Sequence, residues 1–138
     1  MKKILYAGSE IMPFAATGGL GDVMGSLPAA VKRRNPEDDI RAVMPLYSRI
    51  PEKYRERMTF LGQMTVPLAW RRQYCGIFSL EKDGVTYYFL DNEYYFKRGA
   101  LYGEYDDAER FAFFSVAVLE LMRAQNFYPD ILHANDWQ

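Results

Sequence analysis

Ile4-Leu5-Tyr6-Ala7 is an unbroken apolar run between Lys3 and Gly8. A short run without alternation predicts a strand buried on both faces, as in a parallel sheet. After a loop holding Pro13 and Thr17-Gly18-Gly19, the period changes. Leu20, Val23, Met24, Leu27 and Val31 recur at helical spacing. Lys32, Arg33 and Arg34 sit where cations favour a helix C-terminus, Asn35-Pro36 stops the pattern, and Pro28 inside it predicts a kink. Ile40 to Met44 reads as a second strand, ended by Pro45. Strand, helix, strand in this order predicts a βαβ unit and a parallel sheet.

The middle is less regular. Glu52 to Met58 is charged, with a helix as one reading. Gln73 to Leu80 and Val85 to Asp91 read as strands joined at Lys82-Asp83-Gly84, a hairpin turn. An aromatic loop follows from Tyr94 to Tyr105. Asp106 then opens a long helix, with Glu109 three residues on completing a capping box. Phe111, Phe114, Val118 and Leu121 form its apolar stripe. Pro129-Asp130 ends that pattern, and Ile131 to Ala134 predicts a last strand. The fold class is therefore α/β, a Rossmann-like, mainly parallel sheet with an inserted hairpin. A parallel sheet that stops four residues after a strand lacks its next crossover helix, so the expectation is a truncated chain.

Composition narrows the function. At 138 residues, 49% hydrophobic and 25% charged, the chain fits one globular domain. A net charge of -1 gives no footprint for nucleic acid and no basic membrane patch. Lys2-Lys3 is not followed by a signal-peptide core, because Ser9 and Glu10 interrupt the apolar run, and no stretch has the length of a membrane span. Cys75 is the only cysteine and His133 the only histidine, which excludes an internal disulfide and argues against a zinc site. The expected setting is the reducing cytoplasm, with no metal and no cofactor beyond a substrate. Aromatics reach 16%, and half of them lie between Tyr87 and Phe114.

Three segments could carry chemistry. Thr17-Gly18-Gly19-Leu20-Gly21-Asp22 joins a strand to a helix start, where small residues and free N–H groups suit an anion such as phosphate. Its alternative is a tight, ligand-free turn, with Asp22 as a first-turn acid. The spacing matches neither the dinucleotide fingerprint nor the phosphate-binding loop, and Pro45-Leu46 follows the second strand in place of an acid, which argues against a dinucleotide enzyme. His133-Ala134-Asn135-Asp136-Trp137 lies at the carboxyl end of a strand, where ligands of open α/β sheets sit. There Asp136 offers hydrogen bonds to sugar hydroxyls and Trp137 a stacking face. The alternatives are a helix N-cap for Asp136 and core packing for Trp137 and His133. The aromatic loop offers Tyr95 and its neighbours as a carbohydrate surface or as core filling. Cys75 has no basic neighbour in sequence and reads as packing.

Together these residues resemble the glycogen and starch synthases. The matching pieces are Ser9-Glu10 with Pro13-Phe14, Thr17-Gly18-Gly19-Leu20-Gly21-Asp22-Val23, Val43-Met44-Pro45-Leu46-Tyr47, Leu101-Tyr102-Gly103, Asp106-Asp107-Ala108-Glu109-Arg110-Phe111 and His133-Ala134-Asn135-Asp136-Trp137-Gln138. The resemblance implies residues 1–138 as the N-terminal, acceptor-side domain of a two-domain GT-B glucosyltransferase, with the C-terminal nucleotide-binding domain absent. It implies retaining transfer of glucose from ADP-glucose to the non-reducing end of an α-1,4-glucan. Thr17, Gly18, Gly19, Gly21 and Asp22 would face the donor, with Asp22 in the catalytic set. Glu10, Tyr95, Asp136 and Trp137 would face the acceptor. Ala16 stands where the family carries a lysine resembling a charge partner for the donor phosphates. With that cation and the second domain missing, the 138 residues alone are expected to be inactive. A non-catalytic glucan-binding or vestigial domain is the alternative, and self-association through an exposed interdomain face is a further expectation.

Overall fold

The computed structural model describes all 138 residues. The elements are β1 (Lys3–Ala7), α1 (Gly19–Arg34), β2 (Asp39–Pro45), α2 (Glu52–Arg55), β3 (Thr59–Leu68), β4 (Arg71–Lys82), β5 (Val85–Asp91), α3 (Glu93–Phe96), α4 (Asp107–Ala124) and β6 (Ile131–Ala134). They build one six-stranded sheet in the order β3-β4-β5-β2-β1-β6. The pairs β1–β2, β1–β6 and β2–β5 are parallel, whereas β3–β4 and β4–β5 are antiparallel. The mainly parallel α/β reading holds, with the hairpin region forming one flank of the same sheet.

The apolar run of β1 lies between two parallel neighbours, and Ile4, Leu5 and Tyr6 are buried, as continuous hydrophobicity requires. The turn between β4 and β5 takes φ of +53° at Asp83 and +76° at Gly84. Positive φ at both central residues is the turn whose twist matches a hairpin, and Asp-Gly is its favoured sequence. The crossover β1-α1-β2 travels one way from β1 and β5-α4-β6 the other. Right-handed connections of opposite travel put α1 and α4 on opposite faces. Side chains agree: a Cβ on Gly8 would touch Met24 of α1, whereas Phe114 and Val118 of α4 line a cavity with Leu132 and Ala134.

The core runs along the sheet and gathers aromatics on the α1 side. Phe14 meets Tyr54, Tyr87 and Phe89 edge-on at 5.2, 5.3 and 5.0 Å. A fully buried phenylalanine of this kind contributes about 1.5–3 kcal/mol. Three expectations need correction. β3 is a strand that the pattern did not mark. It is an edge strand with a register shift between Phe60 and Gly62, so Met64, Val66 and Leu68 alternate over only half its length. The aromatic loop contains the helical turn α3, capped by Asn92, whose side chain accepts from the Tyr95 N–H at 3.1 Å. The capping box does not form. Asp106 makes no cap hydrogen bond and instead binds both Nη atoms of Arg98, at 3.0 and 2.9 Å, while Glu109 pairs with Arg71 and Tyr95. Ion pairing outcompetes the cap here because charge-assisted bonds to arginine are the stronger ones. Asp107 takes the local role, accepting from the N–H groups of Gly103 (2.9 Å) and Glu104 (3.2 Å).

Cys75 is buried in β4 beside the sheet core. Burial, with the nearby Asp91 carboxylate adding to it, pushes its thiol up to about 12. The thiolate is the reactive form, so a thiol reagent at about pH 8 should leave the native protein unmodified and label it only once urea is added. Rapid stoichiometric labelling of native protein would contradict this placement.

Candidate active site

Opposite directions of travel from β1 and into β6 make the carboxyl ends of these two strands a topological switch point, the place where open α/β sheets hold ligands. The chain leaving β1 turns at once. The N–H of Ile11 donates to the Ala15 carbonyl (2.9 Å), and the N–H of Met12 donates to the Gly21 carbonyl (3.1 Å), so the loop folds back on the first turn of α1. Glycine is needed where they touch. A Cβ on Gly21 would lie 2.3 Å from the Ala16 Cβ and 2.9 Å from Glu10 Oε2, and one on Gly25 would lie 2.7 Å from the Met12 carbonyl oxygen. Gly18 and Gly19 differ, because nothing lies within 4 Å of a Cβ added at either. These two face open space.

Glu10 organises this turn. Its Oε2 accepts from the N–H groups of Thr17 (2.8 Å), Gly18 (3.1 Å) and Gly21 (3.2 Å). Its Oε1 accepts from the Thr17 hydroxyl (2.9 Å) and the Tyr102 hydroxyl (2.7 Å). Since the Tyr102 proton goes to Glu10, the Ser9 hydroxyl, 2.6 Å away, donates to Tyr102. Burial alone would raise the Glu10 carboxyl. The hydrogen bonds from Thr17, Tyr102 and Gly18 outweigh it and hold the group below the ordinary glutamate range. A carboxylate therefore already occupies the backbone N–H groups at the head of α1. Those of Gly19 and Leu20 remain without a partner in the chain.

The second segment arrives from the other strand. Asn135 fastens it: its N–H and its Nδ2 both donate to the Ala7 carbonyl, at 3.0 and 3.1 Å. Asp136 has φ of +62° and accepts its own neighbour's N–H, from Trp137, at 2.8 Å. Trp137 is 65% exposed and meets Phe111 edge-on at 5.6 Å; Phe111 in turn lies 5.8 Å from the Tyr102 ring. Tyr102 thus links the two segments, touching Glu10 with its hydroxyl and the Trp137 side through Phe111. Beside it opens a cavity of about 460 Å³ whose lining includes Met12, Ala16, Thr17, Arg49, Leu101 and Tyr102.

Of the residues singled out in the sequence, Thr17 lines this cavity. Thr17, Gly18, Gly19 and Asp22 are exposed at the head of α1, and Asp136 and Trp137 are exposed across from them. Three are placed differently from expectation. Gly21 is a contact between helix and loop. Glu10 is 3% exposed and turns its carboxylate into the loop. Tyr95 is fully buried, its ring packed at 4.9 Å on Phe113 and its hydroxyl on Glu109, where burial and that carboxylate push it up to about 12. His133 packs on Tyr6 at 5.0 Å on the α1 face of the sheet. Sequence reasoning offered Tyr102 only as one ring of the aromatic loop, a carbohydrate surface or core filling, and not as a junction. Its quoted neighbours Leu101 and Gly103 marked the segment, but its partners lie 92 and 93 positions away. Glu10, Asp22 and Asp136 make these segments acidic, residues 8–31 contain no lysine or arginine, and Arg49 is the cation that lines the cavity.

Residues 3–138 match the starch synthase catalytic domain family. The chain belongs to the starch synthase catalytic domain family. Glycogen synthase of Lactobacillus acidophilus is 51% identical over 135 residues, and that of Clostridium novyi 54%. These alignments cover 98% and 97% of this chain but 28% of each relative, so the chain spans little more than a quarter of their length. Among solved structures, the catalytic domain of starch synthase IV from Arabidopsis thaliana, bound to ADP and acarbose, superposes with a TM-score of 0.87 at 29% identity, over 99% of this chain and 28% of that one. As a starch synthase-type domain, the chain keeps the Thr-Gly-Gly turn and carries Ala16 directly before it. No helix in it is long and apolar enough to cross a membrane.

Proposed function

We propose that these residues form the acceptor-side half of a glucan synthase active site, which transfers glucose from ADP-glucose to the non-reducing end of an α-1,4-glucan with retention. The observation that supports this reading is the junction at Tyr102, which bonds Glu10 beneath the Thr17–Gly21 turn and reaches Trp137 through Phe111. Gly18 and Gly19 leave the backbone open to close approach by the donor's glucose and phosphate. Asp22, in the first turn and free of any hydrogen bond from its carboxylate, is placed to hold glucose hydroxyls. Trp137 offers its exposed ring to the apolar face of an acceptor sugar, and Asp136 a carboxylate to its hydroxyls. Tyr102 and Glu10 hold this frame. Tyr95, enclosed by Phe113 and Glu109, supports the site from behind.

Transfer needs cations where the diphosphate departs. Residues 8–31 supply none and Arg49 in the cavity lining donates to the Gly99 carbonyl, so in this reading the nucleotide-binding half of the enzyme brings them, and the chain works in the cytoplasm as part of a two-domain protein. The acidic crevice and Ala16 favour one second reading, a domain that binds glucan without catalysis. Labelled glucose from ADP-glucose, offered with glycogen to the polypeptide isolated from its host, separates the two. Incorporation supports the synthase, whereas glycogen binding with no incorporation leaves the binding domain. The 138-residue chain alone should incorporate none. Within an active polypeptide, Ala16→Lys should raise kcat about tenfold, the effect of adding roughly 1.4 kcal/mol of transition-state stabilisation. An unchanged or lower kcat would show that the missing lysine is not what limits the rate.

A further inference from the structure

We propose that the tip of the β3–β4 hairpin is a second, surface contact for an α-1,4-glucan chain, separate from the crevice at β1 and β6. The two turn residues are Ala69 and Trp70. Neither is what folding alone would select. Ala69 adopts φ of +55°, a left-handed conformation that favours glycine, and Trp70 leaves 84% of its surface in water. Directly behind the indole, the Arg71 guanidinium lies 4.9 Å from the ring centroid. Arg71 is itself fixed, because its Nη1 pairs with Glu109 Oε2 and lies 3.5 Å from the Tyr95 hydroxyl. The ring and the ion pair frame a cavity of about 200 Å³, floored by Leu68 and Ala112.

The unused atoms define the ligand. Arg71 keeps Nε and Nη2, and Glu109 keeps Oε1, with no partner in the chain. They present donors and an acceptor side by side, next to an open aromatic face. Adjacent hydroxyls of a glucose ring can accept from the guanidinium and donate to the carboxylate, while the ring's C–H face covers the indole. The ion pair is neutral overall, which suits an uncharged polyol better than a phosphate or a charged peptide. The choice of an α-glucan rests on the glucan synthase reading. That reading supplies a polymer long enough to touch the hairpin and the crevice together and so gain from a second attachment.

The two tryptophans allow a test that separates the proposals. In the 138-residue chain, Trp137→Phe leaves fluorescence that reports on Trp70 alone, and Trp70→Phe leaves Trp137 alone. Maltoheptaose should give a saturable change in the Trp137→Phe protein. In native gels containing glycogen, Trp70→Ala should weaken retardation about tenfold, the loss of a contact worth about 1.4 kcal/mol. Its melting temperature should be unchanged, since the side chain is exposed. A response from Trp137 with none from Trp70 overturns the hairpin site and leaves the synthase reading standing. No response from either overturns both. Unchanged glycogen retardation in Trp70→Ala overturns the hairpin site even if Trp70 fluorescence shifts.

Discussion

Replacing Arg110 with methionine should cost the fold about 3–5 kcal/mol, read as a lower urea midpoint at an unchanged m-value. Arg110 has no exposed surface, yet it lies in α4 under the aromatic loop. Its Nε donates to the Tyr95 carbonyl (2.7 Å), and its Nη1 donates to the Leu101 carbonyl (2.9 Å) and to Asp107 Oδ1 (2.8 Å). Phe96 and Phe111 lie within reach of its guanidinium at 5.8 and 5.2 Å. Methionine matches the length of the stem and offers no donor. Two carbonyls then lose their partner inside the protein, at about 1–3 kcal/mol each. Asp107 is partly exposed and contributes less. Because Leu101 and Tyr102 sit on the loop that Arg110 holds, the crevice loses its link as well. A loss below about 1 kcal/mol would show that the loop holds itself in place.

Glu10→Gln should come next in size, at about 2–4 kcal/mol, given that hydrogen bonds to charged groups are worth roughly 1.5–3 kcal/mol each. Glutamine keeps the shape but has one oxygen. Whichever way the amide turns, its NH2 faces either the Thr17, Gly18 and Gly21 N–H groups or the Thr17 and Tyr102 hydroxyls. The wild-type advantage depends on pH in a fixed direction. The folded carboxyl titrates below the unfolded one, near 4.3 for a free glutamate, so the stabilisation is complete above that value and fades as pH falls through the lowered folded value. The gap between wild type and Glu10→Gln should therefore close in acid. A gap that stays constant down to about pH 2 would mean that shape, not charge, sets the role of Glu10.

The buried, structural role of neither residue could be read from the sequence, whereas much of the frame could. β1, α1, β2 and the Asp83-Gly84 turn were legible because each rests on local spacing: an apolar run, a helical period, a dipeptide suited to positive φ. β3 was not, since an edge strand needs only half its side chains inside and the shift at Gly62 breaks even that alternation. The capping box at Asp106 failed for another reason. The motif is local, but Arg98 and Arg71 compete for the same carboxylates from elsewhere in the fold. The site follows this division. Gly18, Gly19, Asp22, Asp136 and Trp137 were singled out from glycine content and strand-end position, and the fold leaves all five exposed. That Glu10 faces inward could not be read, because its orientation depends on Tyr102, and nothing local to either residue shows that they meet.

The order of strands also constrains how the chain assembles. β3, β4 and β5 pair in sequence through two-residue turns, so this flank closes only short loops and costs little chain entropy. β1 waits. Its inner neighbour β2 is close in sequence, but its outer neighbour β6 begins 127 residues after its register partner Ile4. Contacts of such separation form late and slowly. The crevice is built at this seam, so within these residues it depends on the longest-range contact of the sheet and closes only once β6 joins β1.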